Sequence, residues 1–157
     1  MKYSIDTSAF LDGWVRYYPP DVFPPLWRKI EGLIATTELR ASIEVGEELR
    51  RKDDGVYKWT KSQNGLFSAI DLDIQFKVKE ILTQFPRLVS SQSNRTTADP
   101  FVIALAQIEN CIVVTGEKLT GSVNHPKIPD VCRQLNIRCM TLLEMIRNEN
   151  WIFAEIQ

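Results

Sequence analysis

The spacing of apolar positions changes several times along the chain, and each change predicts an element. Residues 2–6 form a short β-prone run that stops at Asp6-Thr7-Ser8, residues suited to capping a helix N-terminus. Ala9, Phe10, Leu11, Trp14 and Val15 then recur at helical spacing until Pro19-Pro20 ends the pattern. Pro24-Pro25 opens a second helix carrying Leu26, Trp27, Ile30, Leu33 and Ile34. Residues 39–43 read as a short strand, with a helix over 45–51 behind it. The segment 52–65 is polar, has a turn signal at Asp53-Asp54-Gly55, and reads as a loop or short helical excursion. Ile70, Ile74, Val78, Ile81 and Leu82 place one apolar stripe on a helix ending at Pro86, and Leu88-Val89 is a candidate minor strand.

The second half is sharper. Thr97-Ala98-Asp99-Pro100 opens a helix expected to turn Phe101, Val102, Leu105, Ala106 and Ile108 inward. Cys111-Ile112-Val113-Val114-Thr115 is an apolar, β-branched run of the kind buried on both faces of a sheet. A loop over 116–126, a helix over 128–135, a strand over 137–140 and a last helix over 142–147 complete the pattern. Short strands alternating with helices predict an α/β fold around a parallel sheet of four to five short strands. Neither a repeat nor a linker breaks the chain, so one domain over residues 1–150 is expected, followed by an apolar tail, 151–157.

Composition narrows the chemistry. The 157 residues include 19 basic and 20 acidic side chains, which excludes a polybasic tail but leaves local charge open. The three cysteines, Cys111, Cys132 and Cys139, form no CxxC pair, and the single histidine, His125, cannot complete a usual zinc set. An odd cysteine count suits a reducing compartment, and the N-terminus has no apolar run behind Lys2, so a cytoplasmic protein is expected. No stretch approaches the ~20 apolar residues that span a bilayer. Asn94-Arg95-Thr96 matches a glycosylation pattern but carries no weight without secretion. A Gly-x-Ser-x-Gly elbow is missing, and residues 116–122 lack the lysine of a phosphate loop.

Carboxylates are what remain. In parallel sheets the functional crevice lies beyond the carboxyl ends of the strands. The first strand ends at Asp6, the strong strand runs out through Thr115-Gly116-Glu117, the helix before it begins at Asp99, and the helix after the second strand carries Glu44, Glu47 and Glu48. Full charges 4 Å apart repel by ~4 kcal/mol at an effective dielectric of 20. A bound cation most easily explains such convergence, and oxygen donors select a hard ion, Mg²⁺ or Mn²⁺.

Ile5-Asp6-Thr7-Ser8, Ala98-Asp99-Pro100-Phe101 with Ala104 and Ala106, and Val113-Val114-Thr115-Gly116-Glu117 resemble the three sequence blocks of the PIN domain family. The resemblance runs in order from residue 2 to about 147. It implies a three-layer α/β/α fold and a Mg²⁺- or Mn²⁺-dependent endoribonuclease, the toxin of a toxin–antitoxin pair. It also implies an RNA substrate, a cognate antitoxin and a homodimer. Carried across residue by residue, Asp6, Asp99 and Glu117 are the first, third and fourth acids, and Glu117 stands where an aspartate is usual. Ser8 and Thr115 are supporting hydroxyls, Thr115 orienting the fourth acid. The second acid is Glu48, which precedes a leucine, or Glu44, one helical turn earlier on the same face. Without these four acids the chain has 19 basic against 16 acidic residues, a net +3. Arg50, Arg51, Lys52, Lys58 and Lys61 could guide phosphates, with Tyr57 and Trp59 stacking bases.

Plainer roles compete. Asp6 and Asp99 are both placed to be helix N-caps, and Glu117 to be a solvated loop residue. Two further functional readings stand beside the nuclease: a PIN-like binding or regulatory module whose site has degraded, suggested by Glu117, and a metal-dependent phosphatase or flap-type nuclease.

Overall fold

The computed structural model describes residues 1–89 and 98–154; the Asn94-Arg95-Thr96 pattern, Thr97 and the end of the tail lie outside them. Five strands form one parallel sheet: β1 (Tyr3–Ile5), β2 (Leu39–Ser42), β3 (Phe67–Ser68), β4 (Ile112–Val114) and β5 (Cys139–Met140), in the order β3-β2-β1-β4-β5. β1 lies at the centre, with Tyr3, Ser4 and Ile5 facing Ile112, Val113 and Val114 on one side. On the other side Tyr3 and Ser4 face Leu39 and Arg40. Tyr3, Leu39, Ala41, Val113 and Val114 are fully buried, as a sheet covered on both faces requires.

Between β1 and β2 lie α1 (Thr7–Leu11), a π-helical segment (Asp12–Tyr17) and α2 (Pro24–Ala35). Between β2 and β3 lie α3 (Ile43–Lys52) and α4 (Asp54–Ser62). Then α5 (Leu72–Gln84) and α6 (Asp99–Ile108) lead to β4, α7 (Ile128–Gln134) to β5, and α8 (Leu142–Asn148) follows. Right-handed crossovers put α1–α4 on one face of the sheet and α5–α7 on the other. The contacts agree: α1 packs on α3 and α3 on α4, whereas α6 packs on α5, α7 and three strands. The result is the expected three-layer α/β/α arrangement.

Several expectations from the sequence are corrected. The polar stretch 52–65 folds as α4, whose N-cap Asp53 accepts the Val56 N–H. It buries only Val56 and Thr60, too few apolar positions to announce a helix. β3 went unpredicted because it is two residues long. Leu88-Val89 is a bend, its buried Leu88 serving the core and not a sheet. The helix of the fifth stripe starts at Leu72, after Ile70. Val15 and Ile108 point outward, at 52% and 40% exposure, and Phe101 is half-buried. The first helix does not stay α-helical but widens into the π-helical turns, where Gly13 is pressed against Leu142 and Trp27.

Trp14, Trp27 and Trp59 lie within 4.7–5.3 Å of one another, Trp27 edge-on to the other two and Trp14 tilted on Trp59, and Phe10 meets Trp59 at 6.2 Å. This cluster ties α1, the π-helical segment, α2 and α4 together. No disulfide joins the cysteines: Cys111 and Cys132 are buried, and Cys139 is half-buried. Among the described residues, no helix is long and apolar enough to cross a membrane. Beyond α8, Trp151 packs half-buried against the core under the Lys29 ammonium, while Ile152 and Phe153 face solvent.

Candidate active site

The pairing of β1 with β4 sets Asp6 and Thr115 side by side, each being the first residue past its strand. Asp6 is buried and caps α1, its Oδ2 accepting the Ser8 N–H at 3.3 Å. The same oxygen accepts the Ser8 hydroxyl at 2.5 Å and the Thr115 hydroxyl at 3.0 Å. Each hydroxyl in turn accepts a backbone N–H, Ser8 from Gly116 at 2.8 Å and Thr115 from Glu117 at 3.1 Å. The two strand ends are thereby stitched into one polar floor. Thr115 orients Asp6 through its side chain and touches Glu117 only at the backbone, which corrects the expected pairing.

Glu48 is buried at 4% exposure, and its Oε1 accepts the Ala98 N–H at 3.1 Å, drawing α3 to the start of α6. Asp99, the first residue of α6, is likewise buried at 5%. The N-cap there is Ala98, which makes no side-chain cap bond, so capping does not account for Asp99. Among the described residues no donor reaches its carboxylate. Glu117 sits half-buried, its Oε2 accepting the Ile128 N–H at 2.9 Å and its Oε1 facing the Lys127 ammonium at 3.4 Å.

The four acids act on one another. Burial pushes the Asp99 carboxyl up to about 9, and the charges of Asp6, Glu117 and Glu48 push the same way against a smaller opposing effect of Lys127. Burial likewise raises Asp6 to about 6, with Glu117 and Glu48 adding to it, although the hydrogen bonds from Ser8 and Thr115 favour its charged form. Asp6, Glu48, Asp99 and Glu117 form an oxygen-only donor set in which burial first, and neighbouring charge second, raises the proton affinity of Asp6 and Asp99. By donor chemistry and charge it suits Mg²⁺ or Mn²⁺. As placed, however, no three His, Cys, Asp or Glu side chains among the described residues are gathered around a single point where an ion would sit.

Not every predicted residue joins. The α3 charge felt by Asp6 and Asp99 is that of Glu48. Glu44 is half-buried in the first turn of α3, its N–H held by Ser42. Arg50 pairs with Glu47, Arg51 donates to the Glu47 carbonyl, Lys58 is exposed, and Lys61 lies over the Tyr57 ring at 5.8 Å. They form a solvated basic face along α3 and α4, next to the acids but not among them. Trp59 is not free to stack bases, because it is locked in the tryptophan cluster and donates to Glu31. His125 is exposed in the loop.

Three residues that shape the site escaped the sequence reading. Asp12 follows α1 and pairs with Arg16; its Oδ2 lies so close to Gly116 that an added methyl there would sit 2.1 Å away. Asp130 is buried and accepts from Thr120 N–H and hydroxyl, Gly121 N–H and Lys127 N–H, at 2.7–3.0 Å, which folds the loop after Glu117 back onto α7. Lys127 precedes α7 and faces Glu117. A signal did exist for the last two: Lys127-Ile128-Pro129-Asp130 has proline and aspartate at the positions that open a helix.

The comparison that decides the family is one of sequence, and its match extends over residues 3–153. The chain belongs to the DUF4411 family. That family is described as a domain of unknown function. No curated protein matches this DUF4411 chain by sequence. Among solved structures it is similar to VapBC2 from Rickettsia felis, crystallised with a DNA fragment from their promoter. The identity is 14%, the TM-score 0.50, and the match covers 90% of this chain and 98% of that one. It also aligns with PAE2754 from Pyrobaculum aerophilum at 15% identity and TM-score 0.41, covering 87% and 97% of the two chains. The DUF4411 chain thus has a PIN-like fold.

Proposed function

We propose that this protein is a metal-dependent endoribonuclease in which Asp6, Glu48, Asp99 and Glu117 hold Mg²⁺ or Mn²⁺. The observation that carries the reading is that Asp6, Glu48 and Asp99, all buried, and half-buried Glu117 come from four separate segments, with Asp6 and Asp99 pushed toward protonation by burial and by the charges of the other acids. The bound ion supplies an acidified water for attack on a phosphodiester and charge to offset the developing negative oxygen. Ser8 and Thr115 engage Oδ2 of Asp6 and fix the carboxylate's direction. Glu48 holds the start of α6, and with it Asp99, against the strand ends. No histidine base is needed.

A role as the toxin of a toxin–antitoxin pair belongs to the same reading, together with a homodimer and a cytoplasmic setting. It draws on the resemblance of the three sequence blocks and on the fold shared with VapBC2. RNA incubated with the purified, partner-free protein is expected to be cut with Mg²⁺ or Mn²⁺ and left intact in EDTA. An absence of cutting with either ion would remove the nuclease reading.

One observation favours a second reading, a binding module without catalysis: Glu117 is already engaged by Ile128 and Lys127. Calorimetry separates the two, since a site of that kind would bind Mn²⁺ no better than its Asp6→Ala variant does.

A further inference from the structure

We propose that Lys127 is a substrate-binding residue of this site, its ammonium exchanging Glu117 for a phosphate of the nucleic-acid backbone. The inference rests on the nuclease reading and names the group that would receive the chain being cut.

Asp6, Glu48, Asp99 and Glu117 repel a polyanion, and the nearby cations of α3 and α4 point along the helix surface, two of them occupied by Glu47. Among the described residues, Lys127 is the cation that faces these carboxylates: its Nζ stands 3.4 Å from Glu117, and its charge is felt by Asp99. Its ion pair with Glu117 is the local interaction that favours a lysine here. Lys127 occupies the N-cap of α7, where a side-chain acceptor is preferred and a positive charge opposes the helix dipole. Residues that break a local rule concentrate at functional sites.

The backbone at Lys127 is nevertheless firmly held. Its N–H donates to Asp130, its carbonyl accepts from Asp130 and Val131, and the next N–H, of Ile128, is bound to Glu117. The side chain is the opposite, with 49% exposure and one long contact. A firmly held backbone bearing a half-solvated ammonium suits a group that trades one anion for another. When Glu117 turns toward a cation, the ammonium loses its partner at the place where a phosphate must approach.

The test measures binding of a fluorescent single-stranded RNA oligomer by anisotropy over a series of salt concentrations. Ca²⁺ serves as the hard ion, and wild type is compared with Lys127→Met, Lys127→Arg and the exposed neighbour Lys118→Met. Lys127→Met is expected to lower the log–log salt slope by ~0.7, the value for one phosphate contact on a single strand. Lys127→Arg and Lys118→Met should keep the wild-type slope. Calorimetric Mn²⁺ affinity should change by less than about threefold in Lys127→Met, whereas RNA cleavage falls by about 10²-fold. An unchanged slope in Lys127→Met overturns the proposal, as does an equal loss in Lys118→Met or a tenfold loss of Mn²⁺ affinity. If wild type binds the oligomer but cuts nothing with Mg²⁺ or Mn²⁺, the nuclease reading fails, while the slopes still decide the role of Lys127. Failure of wild type to bind at all overturns both.

Discussion

Asp99 concentrates the conflict between stability and chemistry in one side chain. In the fold its carboxyl keeps a proton up to about pH 9, whereas in the unfolded chain it ionises near 4. Folding therefore takes up a proton between those values, and the stability of the metal-free protein falls as pH rises from about 4 to about 9. Asp6 adds the same trend up to about pH 6. Asparagine at position 99 has no charge to bury, so Asp99→Asn should match wild type at pH 4 in EDTA and become progressively more stable than it toward pH 9. Urea unfolding across that range measures the difference, and a parallel pair of curves would refute the assignment. The same variant should lose at least about 10²-fold in cleavage. Asp130 behaves in the opposite sense. Its hydrogen bonds to Lys127, Thr120 and Gly121 hold its carboxyl below the ordinary range against the effect of burial, so its contribution is present at neutral pH and lost in acid. An amide cannot accept from all four donors, and Asp130→Asn should cost about 2 kcal/mol. Faster amide exchange at Thr120 and Gly121 would locate the loss.

The helices that carry these residues were unevenly legible. α2, α5 and α6 announce themselves, because each buries an apolar stripe at helical spacing against the sheet or a neighbouring helix. α4 does not: Asp54, Lys58, Lys61 and Ser62 face water, and its attachment is aromatic, through Trp59 in the cluster with Trp14 and Trp27. From sequence alone a tryptophan among lysines reads as a stacking platform; the fold makes it a rivet between helices. Trp59→Ala should therefore lower stability by about 3 kcal/mol or more while leaving the salt dependence of RNA binding unchanged. Chemical denaturation and anisotropy read the two effects separately. Asp6, Asp99 and Glu117 were visible because strand ends are predictable and sheets direct function to one edge. Glu48 was set apart from Glu44 in the sequence by the leucine after it, and the fold adds its burial and its bond to Ala98, fifty residues away. Asp12 was hidden by the π-helical turns, which shift its side chain relative to an α-helical register and set it against Gly116.

At the scale of the whole molecule, the proposed metal site predicts a coupling between stability and metal. An ion that binds only the folded form adds about 2.7 kcal/mol at a hundred times its dissociation constant, or roughly 5–11 °C in a chain of this size. Thermal melts at pH 8 should show such a rise with Mn²⁺, and Asp6→Ala should abolish most of it. The topology has a temporal consequence as well. β1 is made first, yet it sits at the centre of the sheet and meets β4 only after more than a hundred further residues. Asp6 gains its Thr115 partner, and Glu117 its Ile128 partner, only near the end of synthesis. At ~5–20 residues per second the wait is on the order of ten seconds. Until β4 and the loop after it are made, a nascent chain therefore carries Asp6 without the Thr115 hydroxyl that fixes the direction of its carboxylate.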